Sequence, residues 1–95
     1  MLFAGSCQIA DIFHVPGIGE NFDYQGDDKV CSEVMVMAHP ENAGTIWVKP
    51  HAIATITTAW PLLKYDVVSY TITNLNMLHI RLLVTEARAI IAYTV

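Results

Sequence analysis

The sequence predicts an all-β domain, a small antiparallel β-sandwich or jelly-roll-like barrel of about seven strands. Three observations predict it. Val, Ile and Thr are abundant, and branched side chains fit a pleated surface. Turn residues recur at intervals of about ten, the spacing of a sandwich or barrel. Several segments alternate apolar and polar residues with a period of two, and none sustains a helical period.

The first strand is expected over residues 6–15, ended by Pro16-Gly17-Ile18-Gly19. Residues 20–28 read as a long polar loop with Asn21, Asp23, Gly26, Asp27 and Asp28. The second strand is expected over 29–38 and closes at the turn 39–44. It has Val30, Val34 and Val36 on one face and Cys31, Met35 and Met37 on the other. Apolar residues on both faces imply burial on both sides, one of them against another subunit. A third strand over 45–49 stops at Pro50, and a fourth covers 52–58. The turn 59–65 leads to a fifth strand over 66–73, where Val68, Tyr70 and Ile72 oppose Val67, Ser69, Thr71 and Thr73. Asn74-Leu75-Asn76 turns into the sixth, 77–84, with Leu78, Ile80, Leu82 and Val84 on its inner face. The last strand, 89–95, is apolar throughout and is expected to be central or capped, because a free apolar edge aggregates.

Residues 1–95 are long enough for one domain, with no internal repeat or linker. A chain this short buries only roughly 60–65% of its unfolded surface. Yet 54% of its residues are hydrophobic, 15% are charged and the mean hydropathy is +0.41. That surplus must lie partly on the surface, where large apolar patches mark interaction sites. An oligomer or a subunit of a larger assembly is therefore expected.

A membrane span is not expected. The apolar stretch 77–95 is interrupted by His79, Arg81, Glu86 and Arg88, and a spanning helix needs about 20 uninterrupted apolar residues. The N-terminal residues lack a basic region, and Asp11 interrupts their apolar run, so no signal peptide is expected. The net charge is −4, with five scattered Lys and Arg. This leaves no electrostatic footprint for nucleic acid or an anionic membrane surface. Cys7 and Cys31 both fall in expected strands and read as free buried thiols.

No catalytic, cofactor-binding or metal-binding residues are assigned, and the chain is not expected to be an enzyme. His14, His39, His51 and His79 come from separate segments without metal-ligand spacing. Gly17-Ile18-Gly19 lacks a third glycine and a following helix, so it reads as a turn. The acidic loop has the wrong spacing for an EF-hand. Neither cysteine stands in a nucleophile context, and no Ser lies in a nucleophile elbow. Trp47, Trp60, Tyr65, Tyr70 and Tyr93 could form a binding platform. Trp60, in a turn, is the best contact anchor.

The turns of the second half carry a resemblance. Asn42-Ala43-Gly44 with Trp47, Trp60-Pro61-Leu62 with Asp66, Asn74-Leu75-Asn76 and Ile91-Ala92-Tyr93 form a pattern. It resembles that of small bacteriophage virion proteins, over a little more than half the chain. Lys64-Tyr65 stands where that pattern usually has Gly. The resemblance implies a structural role without catalytic residues. The leading expectation is a capsid decoration (cement) protein on the virion surface, made in the host cytoplasm. It would bind the major capsid protein or another virion protein, and only the expanded shell, and homotrimers would suit local three-fold axes. The alternatives are a tail or head–tail connector component and a small carbohydrate- or peptide-binding module. The expected interface residues are Leu2, Phe3, Met35, Met37, Trp60 and Leu62, with residues 1–5 as a docking arm.

Overall fold

The computed structural model describes residues 9–16, 22–42, 44–83 and 87–95. They form eight strands: β1 (Ile9–Pro16), β2 (Phe22–Gln25), β3 (Glu33–Ala38), β4 (Ile46–Pro50), β5 (Trp60–Leu62), β6 (Val67–Tyr70), β7 (Leu78–Leu82) and β8 (Arg88–Thr94). A 3-10 turn, Leu75–Met77, precedes β7. The strands make two four-stranded sheets, ordered β1-β8-β3-β6 and β2-β7-β4-β5. Every pairing is antiparallel.

This order is that of a jelly roll. The partners β1 with β8, β2 with β7, β3 with β6 and β4 with β5 are the rungs of one long hairpin, rolled so that alternate rungs fall in opposite sheets. The sheets stay open at their edges, which makes the fold a sandwich.

The core lies between the sheets, and alternation builds it. Leu78, Ile80 and Leu82 of β7 are fully buried, as are Val34, Val36 and Ala38 of β3 and Ile46 and Val48 of β4. Ala89, Ile91 and Tyr93 of β8 join them. Each of these four strands is flanked on both sides in its sheet. The apolar last strand is thus central, between β1 and β3, as its composition required.

Four expectations are corrected. The polar segment 20–28 contains β2, because Phe22 and Tyr24 alternate with Asp23 and Gln25 and pack on the core. Residues 52–58 are not a strand. Thr55 instead closes a turn: its carbonyl accepts from the N–H of Thr58 and of Ala59, and its hydroxyl bonds those of Thr57 and Thr58. The expected turn 59–65 holds β5, whose Pro61 is tolerated because β5 is an edge strand. Finally, the chain is not extended through Ser32, so Val30 is exposed while Cys31 joins the core.

Two asparagines tie distant segments together. Asn42 is buried and clamps the start of β8: its Nδ2 donates to the Arg88 carbonyl at 2.7 Å, and its Oδ1 accepts from the Arg88 N–H at 2.9 Å. Asn74 caps the 3-10 turn. Its Oδ1 accepts from the N–H of Asn76 and of Lys29, and its Nδ2 donates to the Asp28 carboxylate at 2.8 Å. These bonds give Asp28 a structural partner.

Candidate functional site

The outer faces of the two sheets differ in kind. In β2-β7-β4-β5 the inward residues alternate with Asp23, Gln25, His79, Arg81, Trp47 and Lys49, a face rich in charge. The chain itself crosses it. Residues 51–59 return over the sheet, where Arg81 Nε donates to the Ala54 carbonyl at 3.2 Å and Ala54 is wholly buried outside the core cluster. Trp47 Nε1 and His79 Nδ1 are buried on this side without a hydrogen-bond partner. Trp47 is half-buried, so it is unsuited to a binding platform.

The outer face of β1-β8-β3-β6 is apolar, and on its central strand the outward residues Ala92 and Thr94 are buried. Register fixes its rows. Ile12, Ala92, Met35 and Ser69 form one row across the four strands; His14, Ile90, Met37 and Val67 form the next. Beyond the first row stand Ile9, Thr94 and Glu33. Neither central row has an Asp, Glu, Lys or Arg. Ile12 is 56% exposed, and Met35, Met37 and Ile90 are half-buried. This is the second apolar face that the valine and methionine pattern of β3 implied.

A second apolar region lies at the edge formed by β5 and the chain on either side of it. Ile53, Ile56, Trp60, Leu63 and Tyr65 are all exposed there, Trp60 at 64%. Tyr65 is the notable member. Its φ is +71°, the left-handed conformation that glycine adopts freely and that costs other residues about 1–2 kcal/mol. The turn around it is tight: Tyr65 N–H donates to Ala38 O, Asp66 N–H to Leu63 O, and Leu63 N–H to the Asp66 carboxylate at 3.0 Å. An exposed aromatic thus sits where glycine would relieve strain. Tyr65→Gly is expected to raise stability by about 1 kcal/mol in urea denaturation. A loss would mean that the ring contributes more to the fold than the backbone strain removes.

The expected interface residues separate. Met35 and Met37 share the apolar sheet face, and Trp60 anchors the β5 edge. Leu62, only 1% exposed, points into the core and is not available to a partner. Leu2, Phe3, Cys7 and the arm 1–5 lie outside the described residues, as do Gly17-Ile18-Gly19. Sequence reading missed Ile12 and Ile90, which only cross-strand register places beside the methionines. Cys31 is free and buried; its thiol donates to Ile72 O at 3.4 Å, and burial pushes its pKa up, so it is a poor nucleophile. Among the described residues, no group of three His, Cys, Asp or Glu is placed to hold a metal ion. His14 and His39 meet ring to ring at 5.8 Å.

One cleft of about 330 Å³ opens between β1 and β2, lined in part by Phe13, Phe22, Tyr24 and Asp27. Burial, with the charge of Asp27 adding to it, pushes the Tyr24 hydroxyl up to about 12. The cleft has the volume of a small-ligand site.

No family model matches the chain, and neither the curated proteins nor the solved structures compared with it give a match.

Proposed function

We propose that the protein is a structural virion subunit: a phage capsid decoration protein that docks on the outside of the head and stabilises the shell. The observation that carries this reading is the exposed β5 edge, where Trp60, Leu63 and Tyr65 are held out by short, hydrogen-bonded turns. Exposed Trp and Tyr side chains are the residue types enriched at interface hot spots. The turn pattern that resembles small virion proteins supports the same role. So does the jelly roll, which recurs in viral capsids but also in lectins, and so does not fix function by itself.

The mechanism is thermodynamic linkage. A protein that binds only the expanded shell adds its binding free energy to that state. The partner is the major capsid protein, met through apolar contact at the β5 edge. A tail or head–tail connector position is the alternative within the virion. The cleft between β1 and β2 favours a second reading, a small ligand-binding module, because its aromatic lining and volume suit a small ligand.

The test is saturable binding to expanded shells, with shell melting as the readout. Trp60→Ala is expected to weaken binding by about 2 kcal/mol or more, roughly 30-fold. The isolated domain should keep its stability within about 0.5 kcal/mol, because the ring is exposed. If Trp60→Ala binds shells as well as the wild type, or neither binds, the decoration reading falls.

A further inference from the structure

We propose that the cleft between β1 and β2 binds a small organic cation, its apolar body against Phe13, Phe22 and Tyr24 and its ammonium head toward Asp27. The inference rests on the ligand-binding reading of this cleft and names the class of ligand. It does not depend on the virion role, which is tested with shells.

The topology leaves the cleft open. β1 is the edge of one sheet and β2 the edge of the other, so the two strands are not paired with each other. Phe13 stands opposite buried Ile91, and Phe22 and Tyr24 stand opposite buried Leu82 and Ile80, so all three face inward. Inward residues of the flanked strands β3 and β7 are fully buried, but these three aromatics are only half-buried. Their free ring surface lines a space of about 330 Å³, at the lower end of ligand-pocket volumes. A smaller depression of about 170 Å³ shares Phe13 and Asp27 with it and adds Asp11, Lys29 and Tyr93.

The chemistry of the lining selects a cation. Aromatic ring faces carry negative potential and attract ammonium groups, and an ionised carboxylate only accepts hydrogen bonds. Among the described residues no cation forms an ion pair with Asp27. Its charge reaches into the cleft: after burial, it is what pushes the Tyr24 hydroxyl up. The neighbouring depression shows the same kind of contact within the chain. There Lys29 Nζ lies 5.8 Å from the centroid of the Tyr93 ring, which meets Phe13 edge-on at 6.4 Å. The net charge of −4 favours cations at longer range. A sugar would ask for donors around its ring, and the three aromatic side chains and Asp27 offer one, the Tyr24 hydroxyl.

Amide NMR titration of the full chain at neutral pH tests this with four probes: phenethylamine, which is then a cation, 2-phenylethanol, phenylacetate and methyl glucoside. Phenethylamine is expected to shift the amides of Phe13, Phe22, Tyr24 and Asp27 saturably, with a Kd on the order of 1 mM. The neutral alcohol should bind about tenfold more weakly, and phenylacetate should not bind. Asp27→Asn should weaken phenethylamine about fivefold. Asp23→Asn removes the same charge from the outer face, opposite Arg81, and should leave binding unchanged. If 2-phenylethanol or methyl glucoside binds the cleft as well as phenethylamine, or if Asp27→Asn binds like the wild type, the cation assignment is overturned and the ligand site stands. If no probe shifts these amides, or phenethylamine shifts only residues elsewhere, both the assignment and the ligand-binding reading fall.

Discussion

Gly26→Ala is expected to cost about 3 kcal/mol, at the upper end of the range for overpacking. Gly26 is buried directly after β2, and its N–H donates to the Leu78 carbonyl at 3.1 Å. A Cβ here would overlap the Leu75 carbonyl oxygen and lie 2.7 Å from its carbon. Neither side can give way easily. Leu75 is the buried residue of the 3-10 turn, its N–H bonded to Lys29 O at 2.9 Å. Asn74 pins the same turn through Lys29 and Asp28, and Gln25 Nε2 donates to Asn76 O at 2.8 Å. The collision is therefore backbone on backbone, and relief means separating β2 from the turn that starts β7. Urea denaturation measures the cost. A loss under about 1 kcal/mol would show that the two segments do not approach this closely.

Ile80→Ala is expected to cost about 2–5 kcal/mol, and Ile80→Val about 0.5–1.5 kcal/mol. Ile80 is fully buried at the middle of β7, opposite Tyr24 on one side and Val48 on the other. Flanking strands hold the backbone on both sides, so the cavity left by truncation cannot collapse. A domain of this size has about 5–15 kcal/mol in total, so the alanine variant should lose a large part of its stability. In thermal melts each kcal/mol corresponds to about 4–8 °C. Equal costs for valine and alanine would place Ile80 outside the packed core.

The two sites read differently from sequence. Ile80 was legible: Leu78, Ile80 and Leu82 alternate with His79 and Arg81, and that period alone assigns the inner face. Gly26 was not. Its neighbour in space is some fifty residues away in the chain, and nothing local distinguishes it from an ordinary loop glycine. The aromatic edge was partly legible through Trp60. Leu62, two residues on, shares a face of β5 with Trp60, but it lies opposite Ile46 and is buried, whereas Trp60, at the start of the strand, stays 64% exposed.

By itself the sequence determined the all-β class, the burial of β7 and β8, the Asn74-Leu75-Asn76 turn and an apolar surplus too large for one small core. These follow from local period, turn chemistry and composition, which act over a few residues. Tertiary structure alone decided the jelly-roll order, the strand hidden in the polar segment 20–28, the folding of 51–59 over the charged sheet, and the gathering of Ile12, Ile90, Met35 and Met37 onto one outward face. Each depends on which strands pair and in what register, and these are contacts between residues far apart in the chain. Local alternation gives a strand two faces, but only its neighbours decide which face is covered.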